Sequence, residues 1–357
     1  MSVIEGRRSV ALAPHRRQLI AAVVAAPVLG SALVLGSAGT AAADPPDYSL
    51  TVGIPYREAG PGLIDNRLRS GGKQILSEQL LALSGHGDTR FGAAMLIDDL
   101  DDDGFDDMIV GAPGSPDTDG QKGSVYILFG TSTGISAARA VTLTEPASVK
   151  EGDAFGTALS LTFRTEDDGS TPQFQDLWVG APDHDIGAKG NAGAVYRYSL
   201  NTSGVPAYLE EITQDSPLVP GVAEAGDQFG AVLAARAGNG TIVGVPGEDI
   251  GRAVNAGTVQ QLRIDPVSHA LKTGQGWNQN TPGVPGKAES GDRFGASMTG
   301  YAGVVGIPGE DIGTEPEGSD VGRVLVGVGS VSQTVKAYGF QGGNVEGLGF
   351  GTHFPAR

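Results

Sequence analysis

The sequence predicts an all-β fold of repeated four-stranded blades, a β-propeller, and three observations predict it. A Phe-Gly pair recurs at Phe91, Phe155, Phe229, Phe294 and Phe350. A Gly-x-Pro triplet closes an apolar run at Gly53, Gly111, Gly180, Gly244 and Gly306. The two markers interleave with one period of roughly 60 residues. Between them lie short apolar and β-branched runs bounded by Gly and Pro, the pattern of strands joined by turns. The runs that follow the triplets, such as Ser124 to Phe129, Ala194 to Tyr198 and Thr258 to Ile264, give each unit at least three strands and room for a fourth. Radial repetition of such units leaves only short, protected sheet edges. The 57 glycines among 357 residues fit a turn at every strand end.

The second unit is the most informative. Its strands at Met95 to Ile97 and Met108 to Val110 flank a loop in which Asp99, Asp101, Asp103 and Asp107 are spaced around Gly104. Alternate side chains in such a loop turn inward onto one hard cation, and an all-oxygen cage suits calcium. An EF-hand opens with the same letters but needs a bidentate Glu at its twelfth position, and counting from Asp99 that position is Val110. Crowded carboxylates repel by up to ~3 kcal/mol per pair at an effective dielectric near 20, so a bare acidic turn is the weaker reading. On the same spacing Asp98 and Asp102 are expected to point outward.

Phe91-Gly92, the acidic loop and Gly111-Ala112-Pro113 in that order resemble the FG-GAP repeat of integrin alpha-subunit heads and of secreted bacterial proteins. The likeness covers nearly all of the chain after residue 48 and weakens in the fourth and fifth units, where Gly-Val-Pro and Gly-Ile-Pro replace Gly-Ala-Pro. The resemblance implies a β-propeller of FG-GAP blades in which Phe-Gly starts the innermost strand and Gly-x-Pro ends the second. It also implies calcium held by side chains of Asp99, Asp101 and Asp103, by the Phe105 carbonyl and by a bidentate Asp107. By the same resemblance these loops lie on the face opposite the ligand surface, so the ion pins a hairpin rather than catalysing. The integrin-like propeller has seven blades, whereas about five units are present here. Asp47 to Pro55 resembles a second strand lacking its first, and Phe350 to Phe354 a first strand lacking its second. A five-bladed ring closed by pairing these ends and a fragment of a larger ring are both open readings.

Residues 1–43 read as a secretory signal: Arg7, Arg8, Arg16 and Arg17 precede an apolar stretch from Leu19 to Leu35, and Ala41-Ala42-Ala43 offers a cleavage site. The general secretory and twin-arginine routes both fit, and a retained anchor is the competing reading. Residues 44–357 form the propeller domain, with no other segment apolar enough to span a bilayer. A formal charge of -17, more negative once the arginine-rich leader is removed, repels nucleic acid and anionic lipid. With no cysteine, an exported chain must be held by packing, blade closure and bound cation rather than disulfides.

Other candidates carry less. In the third unit Glu166-Asp167-Asp168-Gly169 is separated from Asp176 by an insertion, which reads as a damaged site. The matching loops at Asn239-Gly240 and Tyr301 to Gly303 hold no carboxylates. After Gly-x-Pro come Asp183-His184-Asp185-Ile186-Gly187, Gly247-Glu248-Asp249-Ile250-Gly251 and Gly309-Glu310-Asp311-Ile312-Gly313. These are expected to be turns held by their own Asp with Ile tucked beneath, or else an acidic rim facing a ligand. The Asp before each Phe-Gly, at Asp153, Asp227 and Asp292, reads as a turn residue. Gly130-Thr131-Ser132-Thr133-Gly134 matches a nucleophile-elbow pattern but lacks the following helix and paired His. The sequence thus reads as an exported binding or adhesion module for an extracellular protein or glycan, without catalysis of its own. A hydrolase-associated propeller is one alternative. A carbohydrate-binding propeller is another, for which Trp277 is the one loop-like tryptophan.

Overall fold

The protein is described here from a computed structural model. It describes residues 89–114, 122–143, 146–163, 175–236, 240–265, 267–299, 303–311 and 322–326, with shorter stretches at 32–35, 50–54, 63–67, 73–77, 81, 83 and 336–339.

Among the described residues, five antiparallel meanders follow one another along the chain. The first is β1 (Ala32–Leu35), β2 (Leu50–Ile54), β3 (Leu63–Arg67) and β4 (Lys73–Leu76); the second is β5 (Ala94–Asp98), β6 (Asp107–Ala112), β7 (Ser124–Phe129) and β8 (Ser136–Thr142). The third is β9 (Ala158–Phe163), β10 (Gln175–Ala181), β11 (Ala194–Leu200) and β12 (Pro206–Ile212). The fourth is β13 (Val232–Ala235), β14 (Gly240–Val245), β15 (Thr258–Ile264), β16 (Leu271–Lys272) and β17 (Gly276–Trp277), the last two pairing in turn with β15. The fifth is β18 (Ser297–Thr299), β19 (Val304–Ile307), β20 (Arg323–Val326) and β21 (Lys336–Gly339). No helix occurs among the described residues, and none there is long and apolar enough to cross a membrane. The all-β, four-stranded architecture expected of FG-GAP blades is therefore present.

Two devices join consecutive sheets, and they account for both sequence markers. Phe91, Phe155, Phe229 and Phe294 are all 0% exposed. Phe155, for example, lies in one apolar cluster with Ile109, Val125 and Ile127 of the second sheet and Leu159, Leu177 and Tyr196 of the third. The ring fills the wedge between sheets and meets Tyr196 edge-on at 5.5 Å. At three junctions the glycine that follows the Phe lies against the Gly of the preceding unit's Gly-x-Pro. The Gly156 N–H donates to the Gly180 carbonyl at 3.0 Å within its own unit, while a Cβ on Gly111 would overlap the Gly156 carbonyl. Gly180 meets Gly230, and Gly244 meets Gly295, in the same way. Both markers thus record one requirement, close backbone approach between neighbouring blades.

At the N-terminal end one pairing bears on the expected ring closure. β1 pairs with β2 over Leu35↔Leu50 to Ala32↔Gly53, so the edge of β2 expected to receive Phe350 to Phe354 is held by a strand from the apolar run read as the leader. Phe350 and the residues after it lie outside the described residues, as does the closure expected of them.

A carboxylate hairpin and the polar loops between blades

The acidic loop joins β5 to β6, and the pairing Asp98↔Asp107 closes its base. Its backbone is bent by two left-handed residues, Asp102 at φ 59° and Gly104 at φ 88°. A Cβ at Gly104 would meet nothing within 4 Å, so glycine is required there for conformation and not for space.

Three of the five expected ligand residues converge. Carboxylate oxygens of Asp99, Asp101 and Asp107 lie within 4.8 Å of one another. Asp107 is buried and fixed by two backbone donors, Leu100 N–H to Oδ2 at 2.8 Å and Gly130 N–H to Oδ1 at 2.7 Å. Asp99 accepts from the N–H groups of Asp103 and Gly104 at 3.1 and 2.9 Å. Asp101 turns its side chain inward, only 7% exposed, with Oδ2 at 2.8 Å from Arg139 and Oδ1 buried without a partner. Asp103 stands outside the trio, exposed, its Oδ1 accepting from Phe105 N–H at 2.9 Å. Phe105 is 41% exposed.

Asp98 does not point outward. It is buried, one oxygen accepts from Asp99 N–H at 3.0 Å, and the other has no partner. The strand pairing continues through Asp98↔Asp107, which places the two side chains on one face. Burial, reinforced by Asp106, Asp99 and Asp107, lifts its pKa to about 7. Burial likewise lifts Asp107 to about 6, against the pull of its two backbone donors, and raises Asp99. A pocket of carboxyls that resist ionising, with two orphaned oxygens at its rim, fits a hard cation: the ion would supply the missing positive charge. Arg139 supplies part of it, its guanidinium also lying over the Phe129 ring at 4.3 Å. Sequence reasoning missed Arg139, because a partner from the outermost strand β8 carries no signal in the loop motif.

Asp176, considered as a closing ligand in the third unit, is instead buried against Arg197 at 2.8 Å, both side chains 2% exposed. Arg197 also reaches Glu210 and the His269 carbonyl of the next unit. Residues 166–168 lie outside the described residues.

The turn reading holds for the acids before each Phe-Gly. Asp153, Asp227 and Asp292 are buried, and each accepts from the backbone N–H three residues earlier, at 2.8, 2.5 and 2.6 Å. It holds also for Asp185 and Asp249, whose Oδ1 atoms accept from Asn191 and Asn255 N–H at 2.9 and 2.8 Å, while Ile186 and Ile250 are half-exposed rather than tucked away. The acidic-rim reading contracts. Glu310 is buried, hydrogen-bonded by Gln279 and paired with Arg323 at 2.6 Å, and Glu248 is half-buried. Position 184 is a buried His whose Nδ1 lies 2.6 Å from Asp153. Its pKa is raised, first by that hydrogen bond.

Gly130 to Gly134 is a turn, with the Thr131 hydroxyl donating to the Gly134 carbonyl at 2.7 Å and Gly130 serving the Asp107 carboxylate. Trp277 pairs into β17 and packs beside Val232, Phe294 and Val305, so it is not a free aromatic platform for sugar.

Residues 91–128 match the family model for the FG-GAP repeat. Human integrin alpha-7 is 35% identical over 140 residues, covering 37% of this chain and 11% of the integrin. Integrin alpha-7 of Rattus norvegicus is 34% identical over the same length, again 37% and 11%. The chain therefore spans a small fraction of the length of these curated relatives.

Proposed function

This chain carries an FG-GAP, integrin-alpha-like domain, and from that premise we propose that it is an exported, calcium-stabilised β-propeller acting as an extracellular binding or adhesion module. Export rests on the leader-like residues 1–43, with cleavage near Ala43. The observation that carries the cation is the convergence of Asp99, Asp101 and Asp107 within 4.8 Å together with the orphaned Asp101 Oδ1. These three side chains would hold the ion, with Asp103 and the Phe105 carbonyl joining from the loop's outer turn. The bound charge would lock the β5–β6 hairpin, because it removes the repulsion that otherwise opposes the loop's closed form.

The partner is an extracellular protein or glycan, and the loops after Gly-x-Pro are its docking face. Loops carried on a rigid scaffold are where binding residues concentrate, and exposed Asp185 and Asp249 make that face acidic. It therefore suits a basic or cation-bridged partner whose binding weakens as salt rises. Asp185→Asn and Asp249→Asn test this, since each removes the charge and keeps the Oδ1 acceptor for Asn191 or Asn255 N–H: binding should fall with folding retained. A partner indifferent to both changes but lost on altering the opposite face refutes it. For the cation, a melting temperature unmoved by calcium and by chelator removes the site from the argument.

A further inference from the structure

One position recurs at three blade junctions, two residues after Gly-x-Pro: His184, Glu248 and Glu310. At the first junction His184 is satisfied by Asp153. At the third, Glu310 is satisfied from within, by the amide of Gln279 and the guanidinium of Arg323. The middle junction is built like the third. Gln214 stands seven residues before Gly221 in Gln-Asp-Ser-Pro-Leu-Val-Pro-Gly, just as Gln279 stands seven before Gly286 in Gln-Asn-Thr-Pro-Gly-Val-Pro-Gly. Gln214 donates to Glu248 Oε2 at 2.6 Å, as Gln279 does to Glu310. The residue matching Arg323, first in its strand after a glycine, is Thr258, and Thr258 donates to the Trp277 carbonyl. No Lys or Arg among the described residues pairs with Glu248.

The niche is therefore short of one positive charge, and its other groups sharpen the deficit. Gln214 and Gln260 are each 2% exposed, and the Oε1 atom of each is buried without a partner, as is that of Gln279 at the third junction; what sets the middle junction apart is the absence, among the described residues, of a guanidinium beside its carboxylate. The amide heads of Gln214 and Gln260 meet at Gly221: a Cβ there would lie 3.1 Å from both amide nitrogens and 3.9 Å from Glu248 Oε1. Gly221 is exposed, so the point where the three heads converge opens to solvent. Rotating both amides exchanges nitrogen for oxygen at no change in shape, which would give up the Gln214–Glu248 hydrogen bond and turn two acceptors toward a cation held between them and Glu248.

We propose that Glu248, Gln214 and Gln260 form a second cation site, on the Gly-x-Pro loop face, for a hard divalent cation such as calcium that takes the place Arg323 fills at the next junction. Carboxylate and amide oxygens are the ligand types such ions prefer.

The test is calcium titration calorimetry on the full chain with the hairpin site disabled by Asp99→Asn and Asp101→Asn. One equivalent should remain, and adding Glu248→Gln should abolish it. Gln260→Met keeps the side-chain length and removes an oxygen, and should weaken this event at least tenfold even if Glu248→Gln impairs folding. No remaining equivalent, or one indifferent to both changes, overturns the proposal. Failure at the hairpin site would show separately, as an unchanged stoichiometry between the wild type and the Asp99→Asn, Asp101→Asn variant.

Discussion

Replacing Gly180 by Ala should separate the blades, and the structure sets the size of the effect. Gly180 has an ordinary negative φ, so alanine is not strained there by conformation. Its Cβ would instead overlap the carbonyl oxygen of Gly230 and lie 3.1 Å from the Gly230 carbonyl carbon and 3.2 Å from the Ala158 Cβ. The obstacle is backbone, which cannot rotate aside. Relief requires the third and fourth sheets to part by roughly 1 Å, a gap that forfeits a quarter to a half of each dispersion contact across it. The contacts at stake include Ala158 and Trp178 against Phe229, Leu233 and Val243. Overpacking of this kind costs ~1–3 kcal/mol, and a backbone obstacle places it at the upper end. A loss of ~3 kcal/mol is a large share of the ~5–15 kcal/mol typical of a folded chain and lowers the melting temperature by about 6–12 °C. The assay is denaturant and thermal unfolding beside a control, Gly187→Ala. That control adds a Cβ in open space at φ 64° and should cost only ~1–2 kcal/mol. A Gly180→Ala variant within ~0.5 kcal/mol of the wild type, or milder than the control, refutes the account of both sequence markers.

Calcium at a hundred times its dissociation constant should add ~2.7 kcal/mol to stability. Asp101→Ala should remove most of the thermal shift and Asp103→Ala less, since Asp103 lies outside the converging trio; the reverse order in calorimetry would count against that geometry. Without calcium, stability should fall as pH rises. Burial lifts Asp292 from 3.8 to about 7, so the folded state holds this proton more tightly than the unfolded chain and loses stability between those values. His184 acts in the same direction, because its raised pKa gives stability that is full below about 6.5 and lost as pH climbs through the higher folded value. Asp292→Asn keeps the acceptor for Glu289 N–H and should flatten the acid part of the melting-temperature profile between pH 4 and 7; an unchanged slope contradicts the assignment. In a chain starting at residue 44, which lacks β1, deletion of 346–357 should lower stability and promote aggregation through the open edge of β2, whereas an unchanged melting curve and monomeric elution would argue that the C-terminal segment does not close the sheet.

Sequence reasoning located β5 and β6 to within a residue or two, and it located the aspartates around Gly104, because strands and the acidic loop are local. The period of two along a strand, the turn residues at its ends and the alternation of carboxylates all lie within a few neighbours. The same locality explains its errors. It sent Asp98 outward by continuing an alternation, although pairing with Asp107 turns it into the interior. It treated the loops carrying His184, Glu248 and Glu310 as equivalent, turns held by their own Asp or else an acidic rim, although His184 meets Asp153, Glu310 meets Gln279 and Arg323, and Glu248 meets Gln214.

By itself, then, the amino-acid order determined the repeat, the all-β class and the acidic hairpin, since each follows from short-range backbone preference. Only the tertiary structure decided that Phe-Gly and Gly-x-Pro meet across one interface, that Arg139 answers Asp101, and that Arg323 neutralises Glu310 while no Lys or Arg among the described residues answers Glu248. Such outcomes depend on which side chains adjacent blades bring within a few ångströms, a distance at which electrostatics is strong and about which sequence spacing is silent.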